Sequence, residues 1–101
     1  MDSPVVSLPT LDSLRQFARD MLCSRDRLDP GQAALRQAAI RRNGRTCGLF
    51  FQVVGPQRQK AYGIWAGDEH RLLFYDAVGI RFAEATLSEA PDPAELDRQA
   101  A

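Results

Sequence analysis

The stretch from Thr46 to Leu87 constrains the fold most, because its side chains alternate in four short runs that are separated by turn residues. Such alternation is typical of antiparallel strands. The predicted strands are Thr46 to Val54, Gln59 to Ala66, Arg71 to Asp76 and Ile80 to Leu87. The short connections between them favour a four-stranded antiparallel meander.

The first connection predicts a register for the sheet. With a four-residue loop from Gly55 to Arg58, Phe51 lies opposite Tyr62, and directly opposed residues of an antiparallel pair share a face. The same register places Phe50 opposite Gly63, where an aromatic ring fills the space left by the missing side chain. Extended through all four strands, it gives two apolar faces instead of one apolar and one polar face. Both faces are therefore expected to need cover.

Two helices are predicted upstream of the strands. The first follows Thr10, which serves as its N-cap, and carries an apolar stripe from Leu11 to Leu22. The second is predicted to start at Asp29, which resembles the first residue of a capping box, and to end at Asn43-Gly44. The expected fold class is α+β, with two N-terminal helices packed on one face of a four-stranded meander.

The domain organisation follows from composition and length. Residues 10–87 suit a single α+β domain, preceded by an extended lead-in over 1–9. Residues 88–101 are acidic and contain prolines, so we expect a disordered tail. No apolar run approaches the roughly 18 to 20 residues of a membrane span, and the first ten residues do not resemble a secretory signal. We expect a cytoplasmic protein that does not bind membranes.

Catalytic and metal-binding patterns are sparse. The chain has two cysteines and one histidine, too few for a disulfide framework or a metal cage of their own, and no cofactor motif stands out. Cys47 and His70 are predicted at the same end of the sheet, but the second strand lies between them, which places them roughly 10 Å apart before side-chain reach. A nucleophilic cysteine needs its base within about 3 Å. The sequence therefore predicts a protein that is not an enzyme.

Charge is distributed unevenly along a chain whose formal net charge is zero. The segment from Pro30 to Gly67 contains basic residues and no acidic one, whereas the C-terminal third is acidic. The basic residues form a candidate anion or nucleic-acid patch: Arg36, Arg41, Arg42, Arg45, Arg58 and Lys60. These cations either complement a helix end and pair with the acidic tail, or contact a nucleic-acid backbone.

The apolar pattern predicts an interface on the sheet. Four large residues of one predicted face are the candidates: Phe50, Trp65, Leu72 and Phe74. Two helices cover one face, so the other is expected to be buried in a homodimer or against a protein partner. The leading functional hypothesis is a small non-enzymatic interaction module. The alternative is a nucleic-acid-binding domain that uses the Arg-rich segment 36–60. Separately, Phe50, Trp65 and Phe74 could serve as a base-stacking platform.

Overall fold

A computed structural model describes residues 3–25, 27–55 and 60–99. The elements of this part, in chain order, are β1 (Val5–Ser7), α1 (Leu11–Arg25), β2 (Ala34–Arg42), β3 (Arg45–Val54), β4 (Tyr62–Ala66), β5 (Arg71–Tyr75), β6 (Arg81–Glu89) and α2 (Ala94–Gln99). The six strands form one sheet in the order β1-β6-β5-β4-β3-β2. All neighbours are antiparallel except β1 and β6, which are parallel. The prediction of two N-terminal helices and a four-stranded meander is therefore wrong, although the broader α+β description holds.

Helix α1 begins and packs as its sequence pattern predicts. The Ser13 backbone N–H donates to the Thr10 hydroxyl oxygen at 3.1 Å, so Thr10 caps the helix. The apolar stripe buries Leu14, Ala18 and Leu22 completely. The helix packs against β3 and β4 on one face of the sheet.

The predicted second helix does not exist, because residues 34–42 form strand β2, which pairs antiparallel with β3. Asp29 forms a turn instead of a helix cap, and its Oδ1 accepts the Gly31 N–H at 3.0 Å. Asn43 and Gly44 both have positive φ angles, 53° and 77°, the geometry of a type I′ hairpin turn. This turn returns the chain directly from β2 into β3.

The strands of the predicted meander are present, but their register differs by one residue. Phe51 lies opposite Gly63 and Phe50 opposite Ile64, so β3 turns each side chain to the face opposite to the predicted one. The expected pairing of an aromatic ring with Gly63 does occur, with different rings. Phe51 lies directly across from Gly63, and a methyl group added at Gly63 would lie 3.0 Å from the Phe74 ring.

The corrected register gives a core face beneath α1. The fully or almost fully buried sheet residues of this face are Leu49, Phe51, Val53, Trp65, Leu72, Phe74, Ala85 and Leu87. They form one cluster with the α1 stripe. Side chains at the alternate positions point away from α1, and we call that side of the sheet the open face.

Both ends of the described chain attach to the sheet. β1, within the predicted lead-in, pairs with β6, and β6 continues to Glu89, beyond the predicted boundary at residue 87. Helix α2, within the predicted tail, is held at β3. The Asp97 carboxylate accepts the Thr46 backbone N–H at 3.1 Å and the Thr46 hydroxyl at 2.6 Å, and these bonds lower the pKa of Asp97.

Candidate interaction surface

The centre of the open face is apolar. By register, Phe50, Ile64 and Leu73 lie side by side on three neighbouring strands, and Tyr62 and Tyr75 lie opposite each other in the next row. All five side chains are partly exposed. None of them belongs to the cluster that packs with α1. The sheet therefore carries a second apolar surface, as its doubled pattern predicts.

Three aromatic rings stack across the strands of this face. The ring centroids of Tyr62 and Tyr75 are 5.0 Å apart with planes 15° from parallel, and those of Phe50 and Tyr62 are 5.6 Å apart at 26°. Two rings lying flat on the sheet could not come so close side by side, so these rings stand upright against one another. The stack consequently presents ring edges, rather than ring faces, to a partner.

An ion pair on β5 and β6 neutralises charge beside the apolar centre. Arg71 Nη2 donates to Glu84 Oε2 at 2.5 Å, and Glu69 lies 3.9 Å from the same guanidinium. The hydrogen bond and the charge of the partner raise the pKa of Arg71 and lower that of Glu84. Both groups are therefore charged and satisfied at neutral pH.

The β5–β6 turn carries two strongly exposed aliphatic side chains at one end of this face. Val78 is 80% exposed and Ile80 is 64% exposed. Asp76 Oδ1 holds the turn by accepting the backbone N–H groups of Val78 at 3.0 Å and Ile80 at 2.9 Å. A methyl group added at Gly79 would lie 3.9 Å from the Tyr62 hydroxyl, so the turn borders the aromatic stack.

The predicted interface residues do not share one surface. Phe50 lies on the open face, whereas Trp65, Leu72 and Phe74 are fully buried on the core face. The one-residue change in register between β3 and β4 places the Phe50 side chain on the face opposite to the other three. These three residues pack with α1 and are corrected to core. The sequence analysis placed Val78 in a turn without assigning it a role, and it placed Ile80 at the start of the fourth strand, whereas that strand begins at Arg81.

The predicted basic patch is divided between the two ends of the sheet. Arg41, Arg42 and Arg45 flank the β2–β3 turn. Arg36 is the third residue of β2, and Lys60 precedes β4 at the far end of β3. Ten residues of β3 separate these ends by about 30 Å. Arg58 lies outside the described residues. The Arg41 guanidinium lies 3.7 Å from Asp97, so one cation of the patch pairs with the C-terminal segment.

Cys47 and His70 make hydrogen bonds to different residues and not to each other. The Cys47 thiol is 3.4 Å from the Ile40 carbonyl oxygen, to which it donates. His70 occupies a left-handed turn position after Glu69, and its carbonyl accepts the Leu87 N–H. In residues 3–25, 27–55 and 60–99, no three potential ligands of the His, Cys, Asp and Glu types come together around a metal site. Cys47 and His70 consequently enter no proposed chemistry.

Comparison with known proteins gives no relative from which a function could be transferred. A scan against protein-family models, a search of curated proteins and a search of solved structures each found no match. Neither helix of the described chain combines the length and the apolar character needed to cross a bilayer. The surface of this chain is therefore the basis for proposing its function.

Proposed function

We propose that this chain is a small non-enzymatic interaction module that binds a second copy of itself through the open face and the adjoining turn. The observation that carries the proposal is the exposure of Val78 and Ile80 on a turn held by Asp76. Exposed apolar side chains in a fixed geometry, continuous with further apolar surface, mark association sites.

The opposite end of the same face offers a complementary cavity. Its volume is about 180 Å³. Its lining includes Ile40, Gly48, Ile64 and Ala66, with the charged residues Arg42, Asp68 and Glu69 beside them. A twofold axis lying in the interface can exchange any two points of a face between two copies. One such axis would seat the Val78 turn of each copy in the cavity of the other, so the contact would form twice. Polar groups at the cavity mouth, such as Asp68, would then form the rim that interfaces commonly have.

The charge on the open face also suits self-association. Two identical faces bring like charges together, which opposes a dimer unless those charges are already paired. Arg71 and Glu84 satisfy each other within one chain, so the rows around Ile64 and Leu73 add little net charge to the interface. The upright aromatic rings can interdigitate with those of a facing sheet at the usual spacing of about 10 Å.

A base-stacking platform for nucleic acid fits the same face less well. Bases stack on aromatic ring faces, and both faces of the Tyr62 ring are occupied by Phe50 and Tyr75. The sequence suggested a platform of three residues: Phe50, Trp65 and Phe74. Two of them, Trp65 and Phe74, are buried beneath α1. The open face is therefore proposed for protein contact.

The test is the molar mass in solution. Light scattering after size exclusion at about 5 to 100 μM should give the mass of two chains, each of 11.2 kDa. Val78→Asp should shift the protein to the monomer, because it places a carboxylate inside the proposed cavity contact. Ala39→Asp is the matched control, since Ala39 is also exposed but is the register partner of Leu49, on the side of the sheet opposite to the open face, and should leave the dimer intact.

Two outcomes would overturn the proposal. One is a monomeric mass for the unaltered protein throughout this concentration range. The other is a dimer that Ala39→Asp and Val78→Asp weaken equally, which would place the contact elsewhere. Circular dichroism should show that both variants retain the fold, since both substitutions are at exposed positions.

A further inference from the structure

The β2–β3 hairpin places two arginines of like charge directly opposite each other. Arg42 and Arg45 flank the Asn43-Gly44 turn and are register partners, so their Cβ atoms are about 5 Å apart. Like charges at this position destabilise a hairpin. Both side chains are exposed, and within the described residues neither has an ion-pair partner. Carboxylates such as Asp68 and Asp92 line the clefts beside Arg45, but none in the described residues pairs directly with either arginine.

The next position of the same hairpin already holds an anion. Arg41 is the register partner of Thr46, and these two residues bind the Asp97 carboxylate through a guanidinium, a backbone N–H and a hydroxyl. Such charge-assisted donors bind carboxylate and phosphate oxygens alike. The internal carboxylate engages Arg41 and leaves Arg42 and Arg45 available to an external anion.

We propose that Arg42 and Arg45 form a binding site for a phosphate group. They line an open cleft of about 460 Å³ together with Asn43, Thr46 and Cys47. Two guanidinium forks on opposite strands can each donate two hydrogen bonds to phosphate oxygens, and the Asn43 side chain adds an amide donor. A bound phosphate would relieve the repulsion between the two arginines.

A carboxylate in the cleft is expected to weaken the binding of phosphate. Asp68 also lines the cleft, and it is not paired with either arginine in the described structure. Its negative charge opposes a bound phosphate. Removing that charge should therefore strengthen binding, which is the opposite of what loss of an arginine should do.

The test uses two probes, because the phosphate could belong to a nucleic-acid backbone or to a small phosphorylated molecule. The first is a fluorescently labelled 20-nucleotide single-stranded RNA followed by anisotropy at several salt concentrations. The second is pyrophosphate, followed by NMR shifts of the hairpin amides. Arg42→Gln with Arg45→Gln should weaken binding of the recognised probe by about tenfold or more. For RNA, the salt slope should become shallower by about 1.4, at roughly 0.7 per lost phosphate contact.

The control is a second double variant with the same change in net charge. Arg36→Gln with Arg98→Gln removes two exposed arginines outside the opposed pair and should change binding by less than about twofold. Asp68→Asn should bind more tightly than the unaltered protein. Binding of RNA alone or of pyrophosphate alone would identify the source of the phosphate and support the site. Binding of neither probe, or equal loss in the two double variants, would overturn it.

Discussion

The β2–β3 turn permits a prediction in which a single source of free energy can be isolated. Gly44 has a φ angle of 77°, and a methyl group added there would meet no atom within 4 Å. Gly44→Ala would therefore act only through the backbone, where a left-handed conformation costs a residue with a Cβ about 1–2 kcal/mol. Alanine also restricts the unfolded chain, which offsets about 0.4–1 kcal/mol of that cost. The expected net loss of stability is about 1 kcal/mol.

A second glycine supplies the control. Gly31 has no positive φ angle, and an added methyl group would make only an ordinary contact, at 3.4 Å from Asp29 Oδ1. Gly31→Ala should therefore be neutral or slightly stabilising, because it changes only the unfolded chain. The difference between the two variants in urea unfolding should equal the backbone cost alone, about 1–2 kcal/mol. Equal stabilities would refute the left-handed turn at Gly44 and, with it, the opposed arrangement of the flanking arginines.

The core and the C-terminal contact give further expected outcomes. Leu14→Ala should reduce the free energy of unfolding, measured in urea, by about 2–5 kcal/mol, because Leu14 is completely buried. Gln16→Ala is the control and should change this free energy by less than about 0.5 kcal/mol, because Gln16 is exposed. Because its pKa is lowered, the Asp97 carboxylate stabilises the folded state fully above about pH 4, and this contribution is lost as the pH falls through its folded pKa. The Thr46 amide resonance should report this loss in the unaltered protein and stay unchanged in Asp97→Asn; a flat titration in the unaltered protein would contradict the contact.

The sequence predicted the elements whose local signals agree with their environment. Helix α1 has a cap at Thr10 and an apolar stripe on one side, and both features recur in the structure. The strands from β3 to β6 alternate strongly enough to be recognised, with boundaries within three residues of those predicted. In these segments, local preference and tertiary packing favour the same conformation.

The segment over 30–44 was misinterpreted because its composition and its partner favour different structures. Alanine, glutamine and arginine are good helix formers, and Asn-Gly ends helices as well as hairpins. The decisive factor is non-local: β3 has a free edge beyond β4, and β2 pairs along it for nine residues. Asn-Gly before an alternating strand is a strong hairpin signal, and giving it more weight would have predicted this pairing.

The candidate surface depended on a register that the sequence does not determine. A loop assumed to run from Gly55 to Arg58 placed Phe50 with Trp65, whereas pairing begins at Tyr62 and places Phe50 beside Ile64. Since side chains alternate with a period of two, a shift by one residue exchanges the two faces of a strand. Both faces of β3 are apolar, so hydrophobicity alone could not choose between the two registers.

The parallel pairing of β1 with β6 has a consequence for the order in which the protein folds. The Ser3 and Thr86 hydroxyls are bonded across 83 positions of sequence, and the Thr86 N–H donates to the Pro4 carbonyl. During synthesis the β1 segment leaves the ribosome before the other strands of the sheet, yet its partner is the last of the six to appear. Contacts this distant in sequence form slowly. The outer edge of β6 therefore stays unpaired until a late step, and during that interval its free backbone groups could recruit a strand from another chain.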